Sequence, residues 1–193
     1  MSDTSSHKLS ADSAAKEAHR VIAAVRSRRE FEGALAAPPA SIFLLAGSIS
    51  ELPRYISEAE NAGKKLFLHM DMIEGLGKDG AAVEYVASLA PYGVISTRGN
   101  LVKQAKAAGL CTVQRFFIVD GRSVETALDT VRQTKPAFAE LMPGLVDKAI
   151  RAFSDEGLSI IAGGLISTPD EARRALTSGA VAVSTSARTL WDL

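Results

Sequence analysis

From Val21 to the end of the chain, one pattern repeats. Short runs of Val, Ile, Leu, Phe and Ala are each followed by a longer stretch with apolar residues at helical spacing. The runs are VIAAV (21–25), IFLLAG (42–47), KLFLHMD (65–71), GVIST (93–97), TVQRFFIV (112–119), AFAEL (137–141), SIIAGG (159–164) and AVAVST (180–185). Stretches such as ELPRYISEAENAG, SVETALDTVRQTK and TPDEARRALTSG lie between them. A strand that is apolar along its whole length is buried on both faces, as in a parallel sheet covered by helices. Alternating strands and helices predict right-handed βαβ units. Eight units in about 170 residues fit a compact α/β fold, a (β/α)8 TIM-type barrel. A doubly wound open sheet is the alternative, but it normally uses five or six strands. Strand one has an alternative of its own, because VIAAVRSRRE could belong to one long amphipathic N-terminal helix.

Local signals punctuate the pattern. Gly63, Gly109, Gly157 and Gly179 follow helical stretches, where a left-handed C-terminal cap is expected. Ser123, Thr168 and Asn100 stand where N-caps belong, and Pro169 takes a first helical position. Residues 1–18 are small and polar and read as a flexible or loosely helical tail. Residues 19–193 then form a single barrel domain.

Composition narrows the function classes. Lys+Arg and Asp+Glu are both 22, so the net charge is zero. That balance gives no nucleic-acid footprint, although it does not exclude a local basic patch. The single Cys111 rules out a disulfide framework and reads as a small buried hydrophobe. No apolar run approaches the ~20 residues of a membrane span. The opening MSDTSSHKLSADSAAKEAH has no apolar core of a signal peptide, so a cytoplasmic protein is expected.

In a parallel barrel, chemistry sits at the C-terminal ends of the strands. Read this way, strand one ends in Arg26, strand three in His69, Asp71 and Glu74, and strand four in Arg98 and Asn100. Strand five carries Gln114 and Arg115, and strand six Glu140. The last two ends carry the sharpest signal. IIAGGLIS is followed some twenty residues later by VSTSA. Barrels bind phosphate with the loops after strands seven and eight, where glycine lets an anion approach backbone N–H groups. Gly163, Gly164, Ser184, Thr185 and Ser186 are therefore candidate phosphate ligands. Otherwise the glycines only make a tight turn and the hydroxyls only cap the last helix.

His69 and Asp71 alternate in phase and should share one face of strand three. The expectation is a hydrogen-bonded core histidine below an Asp71 that binds hydroxyls or acts as a base. Charges inside barrel strands are costly unless paired, and Glu140 on strand six could pair with Arg115 on strand five. They could form a structural pair or line a pocket for an anionic or polyol ligand. The only histidines are His7, His19 and His69, so a histidine-based zinc site is not expected. A carboxylate-bound Mg2+ on Asp71, Glu74 and Glu140 is an alternative. No strand-end lysine suits a Schiff-base aldolase, and no P-loop motif is present. If the chain is an enzyme acting on a small phosphorylated polyol, Asp71 or Glu140 must be its acid or base.

Six blocks, HMDMIEGL, GVISTRGN, QRFFIVD, ELMPGLV, IAGGLIS and AVAVSTSARTLW, resemble those of the glycerol uptake operon antiterminator family, the GlpP-like proteins. Order and spacing match, and VIAAVRS is similar to the family's first block. The resemblance spans roughly Val21 to Leu193. It implies a (β/α)8 barrel that binds glycerol 3-phosphate as an effector, uses no cofactor, and regulates transcription through the mRNA leader of glycerol-utilisation genes. By the same resemblance, Gly163, Gly164, Ser184, Thr185 and Ser186 hold the phosphate. Asp71, Glu74, Arg98, Arg115 and Glu140 line the pocket and meet the glycerol hydroxyls. A homo-oligomer is an open alternative to a monomer, since dimerising would enlarge the basic footprint of a neutral chain.

Overall fold

The computed structural model describes residues 20–192. The expected tail at 1–18 lies outside them. Eight parallel strands close into a barrel in sequence order. They are β1 (Val21–Val25), β2 (Ser41–Leu44), β3 (Lys65–His69), β4 (Gly93–Ser96), β5 (Cys111–Phe117), β6 (Phe138–Met142), β7 (Ile160–Gly163) and β8 (Ala182–Thr185). Ala23 opposite Thr185 closes β1 onto β8. The barrel replaces the open-sheet alternative, and strand one is a true strand rather than part of an N-terminal helix.

Among the described residues, seven helices cover the outside: α1 (Arg28–Ala36), α2 (Leu52–Asn61), α3 (Gly80–Ser88), α4 (Gly99–Ala107), α5 (Gly121–Thr134), α6 (Asp147–Ser154) and α7 (Pro169–Thr177). After β8 the expected eighth helix is only a 3-10 turn, Arg188–Leu190. The turn seals the barrel by burying Leu190 and Trp191, and the indole N–H donates to Thr185 O at 2.9 Å. A two-stranded parallel ribbon, Gly47–Ser48 with Ile73–Glu74, sits outside the barrel. Strand three is shorter than its apolar run, because Met70–Met72 turns into a 3-10 helix.

The caps follow local chemistry. Thr168 caps α7, and the Thr168 and Glu171 side chains satisfy each other's backbone N–H groups. For α5 the cap is Asp120, with Ser123 as its reciprocal partner three residues on, not Ser123 itself. Asn100 lies inside α4, whose cap residue is Arg98. An Asp one turn earlier competes better than Ser123 for the same N–H groups. Gly63, Gly109, Gly157 and Gly179 all have positive φ, as a left-handed C-terminal cap requires.

Every strand is apolar on both faces because it meets two cores. Ile22, Phe43, Phe67, Ile95, Val113 and Ile161 fill the barrel. Their neighbours along the chain, such as Leu44, Leu68, Val94, Leu141 and Val183, face the helices. The apolar filling stops below the C-terminal end. There the inward side chains become His69, Arg115, Glu140 and Ser184, all buried. None of the helices among the described residues is long and apolar enough to cross a membrane.

Candidate functional site

The polar layer is built by strand alternation. Arg115 on β5 lies opposite Glu140 on β6. Arg115 Nε donates to Glu140 Oε2 at 2.6 Å, and Ser184 Oγ on β8 donates to Glu140 Oε1 at 2.6 Å. Glu140 is fully buried and Arg115 nearly so. To reach Ser184, the Glu140 side chain must cross β7, and Gly163 makes the room. A Cβ on Gly163 would lie 2.6 Å from Ser184 Oγ and closer still to Glu140 Oε1. Gly163 thus lets a carboxylate cross the barrel floor, which is a different close approach from the expected one of an anion to its backbone.

Above this layer opens a cavity of about 340 Å³. Arg115, Glu140 and Ser184 form its base, and Arg26, Gly164 and Ser186 stand around it. Gly164 and Leu165 are consecutive residues with φ of +74° and +62°. Leu165 is 73% exposed at the rim, in a left-handed conformation unfavourable for a side chain.

Several donors around the cavity are already engaged. Ser167 N–H and Thr168 N–H donate to the Glu171 carboxylate at 2.8 and 3.0 Å. These bonds, led by that from Ser167, hold the Glu171 carboxyl below its ordinary range. The chain's own carboxylate thus sits at the α7 N-terminus, where a phosphate is often bound. Thr185 Oγ1 donates to Ile166 O at 2.6 Å and accepts from Ala187 N–H at 3.0 Å, tying the β7 loop to the β8 loop. Ser186 is exposed, and no hydrogen bond of its hydroxyl is found among the described residues.

The structure brings together Gly164, Ser184, Thr185, Ser186, Arg115 and Glu140 around this cavity, with Gly163 directly beneath. Asp71 and Arg98 sit across the barrel mouth and are not in its lining. Asp71 Oδ2 accepts from Ser96 Oγ at 2.9 Å and Thr97 N–H at 2.7 Å, while Arg98 Nε donates to Oδ1 at 3.2 Å. Burial pushes the Asp71 carboxyl up, but the Thr97 and Ser96 bonds outweigh it and leave it below its ordinary range. Asp71 therefore clamps the end of β3 to that of β4. Glu74 is exposed in the outer ribbon opposite Ser48, away from the cavity. Asp71, Glu74 and Glu140 do not gather into a group able to hold a metal ion.

His69 is buried as expected, but its Nδ1 has no hydrogen-bond partner and stands 3.8 Å from Asp71 Oδ2. Burial first, and the Arg115 charge second, push the imidazole down to about 4. It is neutral at pH 7. Cys111 is half-buried rather than buried, and burial pushes its thiol up, which disfavours a nucleophilic role.

Arg26, Met142, Leu165 and Ser167 line the cavity, but sequence reasoning did not place them among the ligands. Arg26 carried a usable signal as the first cation beyond strand one. The exposed Leu165 carried none, since its backbone conformation is set by the turn.

Fold and site together define the class: a TIM-type barrel with a polar, arginine-floored cavity at the C-terminal ends of its last strands. Sequence comparison supplies the family. The chain belongs to the glycerol-3-phosphate responsive antiterminator family, whose profile matches residues 21–191. It is 31% identical over 175 residues to the uncharacterized protein YgcP of Escherichia coli (strain K12), covering 90% of this chain and 92% of that one. Among solved structures it resembles a glycerol uptake operon antiterminator regulatory protein from Listeria monocytogenes. That match has a TM-score of 0.85 at 30% identity, covering 89% of this chain and 94% of the other. A glycerol uptake operon antiterminator-related protein from Thermotoga maritima gives 0.81 at 31% identity, covering 90% and 98%.

Proposed function

We propose that this protein is a sensor of glycerol 3-phosphate that regulates glycerol-utilisation genes by binding their mRNA leader. One observation carries the effector half: the cavity places a buried arginine and a buried carboxylate at the floor of a strand-seven and strand-eight rim. In this reading the phosphate lies against the backbone of Gly164 and Leu165, with Ser186 and Arg26 around it. The glycerol hydroxyls reach down to Arg115 and Glu140. Gly163, Ser184 and Thr185 shape the floor and rim through the contacts described. Asp71 and Arg98 order the opposite lip, and Glu74 belongs to the ribbon outside it.

The occupancy of the carboxylates supports a binding role over a catalytic one. Both Glu140 oxygens accept short hydrogen bonds, and both Asp71 oxygens are held by residues at or just beyond the end of β4. A general base needs an oxygen within reach of the substrate proton. Titration calorimetry with glycerol 3-phosphate tests the effector half. Saturable binding is expected, weakened by Arg115→Met. A folded protein that takes up no ligand at millimolar concentration would overturn it. A gel shift of the leader RNA, with and without ligand, tests the regulatory half.

A further inference from the structure

The net charge of zero hides a local cluster of lysines at the N-terminal end of the barrel. Helix N-termini favour acids and C-termini favour bases, and in a barrel all helices point the same way. Asp147, Asp170 and Glu171 open their helices at the C-terminal, cavity-bearing end, beside Asp71 and Asp120. The opposite end carries Lys65 at the start of β3, Lys106 in the last turn of α4, and Lys135 after α5. Lys106 Nζ donates to the backbone Lys135 O at 2.7 Å, which ties the end of α4 to that of α5.

The same end carries an aromatic surface. Phe43, Phe67 and Tyr92 form a ladder from the barrel interior outward, with ring centroids 5.3 and 5.2 Å apart. Tyr92, the last rung, is 47% exposed. Its ring is held by Phe67, and Lys65 Nζ lies 4.9 Å from its centroid. Beside it is a cleft of about 330 Å³ bordered by Lys64, Lys65, Glu60, Pro91 and Tyr92. Lys64 is structural, since its ammonium donates to Ala37 O and Pro39 O. Lys65 is exposed, and no hydrogen bond of its ammonium is found among the described residues.

We propose that this N-terminal end of the barrel is the surface that takes single-stranded RNA, with a base stacked on Tyr92 and the flanking phosphates on Lys65, Lys106 and Lys135. The proposal rests on the antiterminator reading and gives its RNA half a location. Stacking on an aromatic ring beside a cationic track is how single strands are held without base-edge readout. Lys65 gives way over the ring to a base and follows the phosphate. Glu60, the carboxylate in the cleft lining, accepts from an exocyclic amine. The arc runs from the start of β3 past Tyr92 to the ends of α4 and α5. This surface leaves the opposite, cavity-bearing end to the effector.

Fluorescence anisotropy with the operon's own leader RNA and a mixed-sequence single strand tests this on the full chain. Tyr92→Ala should weaken binding about 5- to 100-fold, and Tyr92→Phe should keep it. Lys65→Gln should reduce the slope of log affinity against log salt by about 1. Ultraviolet cross-links of the wild-type complex should fall on the Pro91–Tyr92 peptide, an outcome independent of any variant's folding. Wild-type binding that Tyr92→Ala and Lys65→Gln leave intact, with cross-links elsewhere, overturns this surface but not the antiterminator reading. A change of oligomeric state in Tyr92→Ala with RNA affinity unchanged assigns the cleft to protein contact and overturns it too. A wild-type protein that binds glycerol 3-phosphate but no RNA overturns both the surface and the RNA half of the proposed function.

Discussion

Replacing Arg115 by Met is the most direct test of the cavity floor. The substitution keeps an apolar stem of similar length but removes the guanidinium that bonds Glu140 Oε2 at 2.6 Å. Glu140 is fully buried, so its carboxylate is left with the Ser184 hydroxyl alone. Removing one partner of a buried ion pair costs about 3–5 kcal/mol, mostly the penalty of the charge left behind. For a domain of this size that lowers Tm by roughly 10 °C. The penalty is specific to the charge, which allows a cycle. Glu140→Gln retains an acceptor for Ser184, so Arg115→Met/Glu140→Gln should recover about 2 kcal/mol relative to Arg115→Met. Urea unfolding of the four proteins at pH 7.5, followed by circular dichroism, gives the coupling energy. A coupling below ~0.5 kcal/mol would refute the view that the pair is desolvated and interdependent.

Three further outcomes follow from the same geometry. Gly163→Ala should destabilise by about 1–3 kcal/mol in thermal unfolding, because the new methyl meets Glu140 and Ser184 at a site packed on both sides. Leu165→Gly should raise Tm by about 3 °C, since it relieves a left-handed backbone worth roughly 1 kcal/mol and removes an exposed apolar side chain. Stability should also fall with acid partly through His69. Its folded pKa of about 4 lies below the unfolded ~6.5, so the unfolded chain binds the proton first. The stability present above pH 6.5 is then lost down to pH 4, about 2.5 kcal/mol of it by pH 4.5. His69→Gln should flatten that part of the curve, and an identical pH profile for variant and wild type would count against a neutral buried imidazole.

The chain's two periodicities determined much of this protein. Eight apolar runs between helical stretches call for a parallel sheet covered by helices, and their number favours a closed barrel over an open sheet of five or six strands; that was legible because burial is written in side-chain polarity. The strand-end rule then pointed to Arg115, Glu140 and the glycines after strand seven. Local cap chemistry also read correctly where one residue dominates, as at Thr168, and failed where Asp120 outcompeted Ser123. What the sequence could not give was the sharing of hydrogen bonds between distant strands. Only closure of the ring brings Ser184 to Glu140, 44 residues away in the chain, and makes Gly163 the gap through which they meet. Closure also sends Asp71 to β4 and Glu74 to an outer ribbon, although both follow the same strand. The lysine cluster is likewise tertiary. A net charge of zero is a sum over the chain, but the parallel arrangement of α4 and α5 brings Lys106 and Lys135 to the same end of the barrel as Lys65.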